Sequence, residues 1–284
     1  MGLDARGAVP LHRRANTVYA LPDAGAVVRL RFTHGSPEWR RRLANSVQVT
    51  RWLAEQGFPT ITPLDIPQPV SVNGWVATFW RQETVEEPAL AADVADLARI
   101  LRRLHSLPPP PVELPATDPL GSLPTDLDRN RAALTGEEYD WLLNRCAEIA
   151  AEYPGATMPP ELDHGLIHGD AHLGNLIPVA GAFLLADWDS VSVGPRAQDL
   201  IPTLHRVLHL GYPRTDWLDL CSAYGVDPSL EHHPGIRLLQ KAREVRSLAA
   251  YIRRAAHPDV RRELTKRLRT LMTGDGSVWR AVTV

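Results

Sequence analysis

Three polar residues carry the strongest chemical signal in this chain. Asp170 and Asn175 lie five residues apart in Leu166-Ile-His168-Gly-Asp170-Ala-His172-Leu-Gly174-Asn175-Leu-Ile177, and Asp187 follows twelve residues later in Leu184-Leu-Ala-Asp187-Trp-Asp189. Each polar cluster abuts an apolar run that reads as a strand. The arrangement suits phosphoryl transfer from a nucleotide, where little covalent work is asked of the protein and positioning and neutralisation do most of it. Asp170 would orient an acceptor hydroxyl and take its proton. Asn175 and Asp187 offer the hard oxygen ligands that magnesium prefers. Taken singly, each has an ordinary explanation: Asp170 and Asn175 as turn residues, Asp187 as a strand-end cap. The joint pattern His-Gly-Asp-x-His-x-Gly-Asn with Asp-x-Asp favours the chemistry.

The elements that must position these groups can be read along the chain. Residues 16–21 and 26–32 read as two strands around the turn Pro22-Asp-Ala-Gly25. Ser36-Pro37-Glu38 opens a helix, with Trp39, Leu43, Val47 and Leu53 as its buried stripe and Gly57-Phe-Pro59 as its stop. Residues 69–74 and 75–80 read as a hairpin, so the first eighty residues form a small sheet with one helix. Leu97, Leu101, Leu104 and Leu107 stripe a second helix. The prolines from Pro108 to Pro124 predict an extended connector. Thr135-Gly-Glu-Glu138 is a capping box that opens a further helix, with Tyr139, Leu142, Leu143, Cys146 and Ile149 inward. A short hairpin turning at Gly181 follows the polar loop, and the chain reads as helical from about Pro195 to Met272.

Bulk properties narrow the class. The 284 residues are 44% hydrophobic and 23% charged, with a net charge of −2, so no global attraction to nucleic acid or anionic membrane is expected. One to two domains fit that length. Cys146 and Cys221 match no disulfide framework or zinc spacing. No segment reads as a signal peptide, a myristoylation site or a membrane span, so a cytoplasmic protein is expected. The cations are almost all arginine; Lys241 and Lys266 are the only lysines. A phosphate contact in the first half must therefore use Arg, His or backbone N–H groups.

His168-Gly-Asp170-Ala-His172-Leu-Gly174-Asn175, with Asp187-Trp-Asp189 and Gly194-Pro-Arg-Ala-Gln-Asp199-Leu, resembles the aminoglycoside phosphotransferase family, which is related to choline kinases. Asn16-Thr-Val-Tyr19, Arg51-Trp-Leu-Ala54, Thr78-Phe-Trp80, Leu101-Arg-Arg-Leu-His105 and Ala223-Tyr-Gly225 match its style more loosely. The resemblance implies an α+β, bilobal, protein-kinase-like fold. A small N-terminal antiparallel sheet with one helix (1–83) would bind nucleotide, and a larger, mainly helical C-terminal lobe (84–284) would hold the catalytic and acceptor groups. It implies a phosphotransferase using Mg2+ and ATP or GTP on a small-molecule hydroxyl. By the same resemblance Asp170 is the catalytic base, and Asn175 and Asp187 are metal ligands. His168 buttresses the loop. Asp199 accepts backbone N–H bonds from that loop, unless it only starts a helix. His172 stands at a phosphate-touching position or simply faces solvent. Asp189 supports the metal site or caps the strand end.

For the nucleotide, Arg29 follows Val27-Val28 as the kinase lysine follows its valine run, with Arg31 as rival. Val27 would pack on the base, and Thr78–Gln82, with Thr78, Trp80 and Arg81, would form the hinge. No glycine-rich loop is present, and Arg13-Arg-Ala-Asn16 would have to cover the phosphates. The family's helix glutamate is replaced by Ser46, and no acid lies between Glu38 and Glu55. Arginine, charged and pre-oriented, needs less support than lysine.

The acceptor is less legible. Residues 200–284 hold eight acidic and fourteen basic residues, an excess of six positive charges. The candidate acids Asp163, Asp216, Asp219, Asp227 and Glu231 form no run, so a sugar, amino alcohol or other hydroxylated antibiotic fits at least as well as a polycation. With an antibiotic as acceptor, the role would be resistance. Trp188, Trp217 and Tyr224 would either stack on a ring or fill the core. A monomer or homodimer is expected. The competing reading is a catalytically silent nucleotide-binding or scaffolding module, favoured by Ser46 and opposed by Asp170, Asn175 and Asp187. A protein kinase fits poorly, because Asp187 and Asp199 are too close for an activation loop.

Overall fold

The computed structural model describes residues 3–13, 16–85 and 91–282. Its strands are β1 (Val9–Arg13), β2 (Thr17–Leu21), β3 (Ala26–Phe32), β4 (Val70–Val72), β5 (Trp75–Arg81), β6 (His164–Ile167), β7 (Leu176–Val179), β8 (Ala182–Leu185) and β9 (Ser192–Pro195). Its helices are α1 (Pro37–Glu55), α2 (Val94–His105), α3 (Leu123–Arg129), α4 (Gly136–Glu152), α5 (Ile201–His209), α6 (Arg214–Tyr224), α7 (Pro234–Arg253) and α8 (Pro258–Thr273). Packing divides the chain into two compact units: Met1–Pro115 with Leu166–Val193, and Ala116–Gly165 with Gly194–Val284. This division by packing differs in kind from the expected one, which separates 1–83 from 84–284 by role.

The first unit is built on an antiparallel sheet of order β1-β2-β3-β5-β4. The turn after β2 closes on Gly25, whose φ of 55° suits a residue without Cβ. Register fixes which side chains share a face: Val18 opposes Arg29 and Ala20 opposes Val27, while Val27 opposes Trp80 and Arg29 opposes Thr78. Because side chains alternate along a strand, Val18, Val27, Arg29, Thr78 and Trp80 fall on one side of the sheet. β1 was not expected. Its Val9 and Leu11 are exposed, and it is an edge strand, where Pro10 is tolerated.

Helix α1 begins as its sequence suggests. Ser36 accepts from the Trp39 N–H at 3.4 Å, and Pro37 fills the first turn. Its buried side carries Leu43, Ser46, Val47, Thr50 and Leu53 and packs against the turn at 188–190. Trp39 departs from the expected buried stripe: the Arg31 guanidinium lies 3.3 Å above its ring and Arg42 lies 5.1 Å away, so it serves as a half-buried cation platform. The hairpin β7–β8 is tied to the chain after α1, since Leu185 donates to Pro59 O at 2.9 Å and accepts from the Thr60 hydroxyl at 3.2 Å.

The second unit is helical. Leu127, Leu142, Ile149, Val245, Leu248, Leu264 and Leu268 form its shared core. The capping box of α4 is present, with Thr135 and Glu138 exchanging side-chain bonds to each other's N–H. Glu138 also takes two bonds from Arg261 of α8, at 3.0 and 2.9 Å. Within the proline-rich stretch the structure forms α3, starting at Leu123-Pro124, where proline is acceptable in a first turn. Trp217 and Tyr224 are buried, Trp217 fully, so both are core residues here, as is Trp188 of the first unit. Among the described residues, no helix is long and apolar enough to cross a membrane.

Candidate active site

The loop after β6 is held by a buried histidine. His168 is fully enclosed, its Nε2 lies 2.9 Å from Ala186 O, and the Asp170 N–H donates to its Nδ1 at 3.3 Å. Both contacts are met by one neutral tautomer, protonated on Nε2. The ring also meets Trp188 edge-on at 4.7 Å. Gly169 sits at φ 84°, and a Cβ there would lie 2.3 Å from Ser190 O. Only glycine allows this close approach. The Asp170 side chain is 37% exposed, with His172 Nε2 at 3.8 Å from Oδ2.

Asn175 ties the two ends of the motif together. Its Nδ2 donates to Asp170 O at 2.9 Å, and its own carbonyl accepts from Ala186 N–H at 2.9 Å. The Oδ1 atom has no protein partner among the described residues, so the amide presents its oxygen rather than its nitrogen. Asp187 takes a left-handed backbone at φ 64°, uncommon for a residue with a side chain and enriched at functional positions. Its carboxylate is 46% exposed. Asn175 Oδ1 and Asp187 together are a hard-oxygen donor pair on one cleft, which fits magnesium.

That cleft has a volume of about 910 Å³ and belongs wholly to the first unit. Val18, Val27, Ile61, Trp80, Ile177 and Ala186 give it apolar walls; Asn16, Arg29, Ser46, Asn175 and Asp187 give it polar ones. An apolar slot with a few convergent polar groups is the usual form of a small-molecule site. Of the expected nucleotide residues, Val27, Arg29, Trp80 and Arg81 line it. Thr78 sits behind the surface, fully buried, its hydroxyl accepting from Trp80 Nε1 at 3.0 Å. The Arg81 and Gln82 N–H groups are used by Thr62 O and Gly25 O. Among the described residues, the N–H groups of Glu83, Thr84 and Val85 are not engaged, and these residues also line the cleft. Unengaged backbone donors on the cleft thus begin past the strand end.

Arg29 is the largely buried cation of the cleft, whereas Arg81 is exposed. Its Nη1 and Nη2 donate to the two oxygens of Asp189 at 2.7 Å each, and Nη2 also donates to Asp187 Oδ1 at 2.8 Å. Burial, the largest influence, pulls its pKa down; Asp189 and Asp187 outweigh it, and the net shift is upward. For Asp189 the balance differs. Burial raises its pKa, the Arg29 charge opposes this, Asp187 adds to the rise, and the net shift is upward. Pairing thus favours the charged arginine, while burial prevails at the aspartate. The rival Arg31 does not line the cleft itself; it stacks on Trp39 and donates to the cleft residue Asn16 at Oδ1, 3.0 Å away. Ser46 faces the cleft with its buried Oγ lacking a partner.

Asp199 lies in the second unit, fully buried, in a short 3-10 turn over Arg196–Asp199. It does not cap α5, whose N-cap is Leu200. The expected phosphate-covering turn at Arg13–Asn16 includes Arg14 and Ala15, which lie outside the described residues. What the sequence missed is the partnership of Arg29 with Asp189, separated by 160 positions; the repeated acid in Asp-x-Asp was the only signal.

A family model described as the phosphotransferase enzyme family matches residues 8–239. No curated protein matches the chain in sequence. Among solved structures, an amicoumacin kinase in complex with AMP-PNP, Ca2+ and Ami superimposes with a TM-score of 0.70 at 13% identity, covering 98% of this chain and 92% of that one. The microcompartment-associated aminopropanol kinase gives 0.68 at 15%, covering 95% and 94%. A choline/ethanolamine kinase family protein from Mesorhizobium loti gives 0.63 at 15%, covering 96% and 90%. At these identities the likeness establishes the fold, an α+β kinase-like architecture with an antiparallel N-terminal sheet and a mostly helical C-terminal part.

Proposed function

Because the chain belongs to the phosphotransferase enzyme family, we propose that it is a magnesium-dependent kinase moving the γ-phosphate of ATP or GTP to a hydroxyl of a small molecule. One observation supports the reading most: Asn175, whose side chain donates to the Asp170 carbonyl, lines one cleft together with Asp187 and Arg29. Residues 1–83 are assigned the nucleotide side and 84–284 the catalytic and acceptor side.

The roles follow from these positions. The base enters between Val18, Val27, Ile61, Ile177 and Ala186, with Trp80 at the back, and its polar edge meets the backbone of residues 83–85. Arg29 holds the phosphates. Asn175 Oδ1 and Asp187 would hold magnesium, which neutralises phosphate oxygens when bound. Asp170 orients the acceptor hydroxyl through a carboxylate oxygen. As the acceptor oxygen bonds to the γ-phosphorus and the bond to the β–γ bridging oxygen breaks, the hydroxyl proton passes to Asp170. His168 fixes the Asp170 N–H and so the angle of the loop. Asp199 keeps the supporting role that the family motif implies for it. A reducing cytoplasm, where both nucleotides are abundant, is the setting that fits two buried free thiols.

For the acceptor, three of the five candidate acids of the second unit are already engaged within the chain. Arg214 grips both oxygens of Glu231, Asp227 caps the Ser229 N–H, and Asp163 is bonded to the backbone and ring of His164. This favours a neutral or weakly charged hydroxyl compound over a polycation. The test is ADP or GDP release across sugars, amino alcohols, aminoglycosides and other hydroxylated antibiotics, with Asp170→Asn as control. Turnover on one class, lost in Asp170→Asn, is expected. Silence on every class with intact nucleotide binding would shift the assignment to a catalytically silent nucleotide-binding protein, a reading that Ser46 favours.

A further inference from the structure

The sequence offers two acids around Trp188, and the structure separates their roles. Asp187 is nearly half exposed and gives Arg29 one oxygen; Asp189 is 10% exposed and gives it both. Two parallel bonds of 2.7 Å to a buried carboxylate are the strongest form of this pairing. A single bond to an exposed carboxylate is easily exchanged. Helix α1, which also reaches the cleft, supplies there only Ser46, whose hydroxyl is unpartnered. Arg29, itself 12% exposed, therefore has one fixed anion and one exchangeable anion.

We infer that Asp189 is the positioning residue of the phosphate-binding cation: it is the permanent counter-ion of Arg29, while Asp187 lets go when metal and nucleotide arrive. This rests on the proposed function. The donor count supports it. A guanidinium has five N–H donors, and three are spent here, two on Asp189 and one on Asp187. Two remain for phosphate oxygens, and release of Asp187 adds a third without loosening the fork on Asp189. Asp189 thus touches neither phosphate nor metal. It sets where the guanidinium plane lies, and the strand position of Arg29 sets the rest.

The experiment is a double-mutant cycle on the full-length protein, reading equilibrium binding of the magnesium complexes of AMP-PNP and GMP-PNP, with circular dichroism to establish folding. Asp189→Asn is expected to weaken binding of the preferred analogue about tenfold or more, as is usual when one member of a buried charged pair is removed. Arg29→Ala should do the same, and Asp189→Asn added to Arg29→Ala should cost nothing further, because Asp189 acts through Arg29. If Arg29→Ala does not fold, Arg29→Lys replaces it. That variant keeps the charge but not the fork, so Asp189→Asn should cost less in it than in the wild type. An Asp189→Asn protein that binds like the wild type would overturn the assignment alone. So would a full second loss in the Arg29 variant, which would mean that Asp189 contacts metal or nucleotide directly. A wild-type protein that binds neither analogue would overturn the proposed function and this role with it.

Discussion

Replacing Gly169 by alanine should separate turnover from nucleotide binding. The residue lies at φ 84°, in the left-handed region, where a side chain costs about 1–2 kcal/mol. The new Cβ would also stand 2.3 Å from Ser190 O and 3.0 Å from Ser190 C, so one backbone must retreat by about 1 Å to reach ordinary contact. Ser190 is the worse candidate to move. Its carbonyl accepts from Ser192 Oγ at 3.2 Å, and the turn around it is closed by the bond from Val191 N–H to Trp188 O. The loop carrying Asp170 moves instead, and a displacement of about 1 Å at a reacting group costs on the order of 100-fold in rate. Gly169 does not line the cleft, so affinity for the magnesium nucleotide should change little. The assay pairs ADP or GDP release with equilibrium binding of a non-hydrolysable analogue, and a urea melt should show a loss of about 2 kcal/mol. Wild-type turnover in Gly169→Ala would refute the reasoning, as would parallel losses of turnover and binding.

Three further outcomes are expected. His205 is buried, which is the main reason its pKa lies well below 6.5, with Arg243, His209 and Arg267 adding to the effect; Gln240 Nε2 contacts its Nδ1 at 3.2 Å. A group held neutral in the fold gives stability that is present above its unfolded pKa and lost as pH falls below it. Unfolding free energy should therefore drop by about 1.4 kcal/mol per pH unit below 6.5, and His205→Asn should flatten that slope in urea melts. Burial pushes the Cys146 and Cys221 thiols up to about 11 and about 12, so neither should react with Ellman's reagent at pH 8 until denaturant is added; rapid labelling of the native protein would contradict this. Glu138→Ala removes half of the α4 capping box and the partner of a part-exposed Arg261, and should cost about 2 kcal/mol in the same melts.

Much of the candidate site's geometry was legible because its parts are close in sequence. The five-residue step from Asp170 to Asn175 is one loop, and the hairpin back to Asp187 is one β-turn, so spacing alone predicts convergence. The same holds for Ser36 and Thr135, whose helix caps are local hydrogen bonds. What could not be read depends on distant pairing. Nothing near Arg29 announces Asp189, and nothing near Trp39 announces Arg31, because strand register and helix placement decide both. β1 escaped notice because an edge strand needs neither buried alternation nor an unbroken row of donors. α3 escaped because a proline marks a helix start as readily as it breaks a helix interior. The unengaged N–H groups at the cleft begin past the expected hinge, since how far β5 runs depends on its pairing with β3.

The interleaving of the two units has a consequence for how the chain is made. The first unit starts with residues 1–115 but is completed only by residues 166–193. At ribosomal speeds of about 5–20 residues per second, some 78 residues separate those points, a delay of about 4 to 16 seconds. During it, helix α1 has been synthesised but the 188–190 turn it packs against has not, and Pro59–Ile61 await the strand that will pair with them at Leu185. The nascent sheet therefore waits with an apolar face open to water and to chaperones. Substitutions between 166 and 193 would then act twice, once on the finished site and once on how long the unfinished half remains exposed.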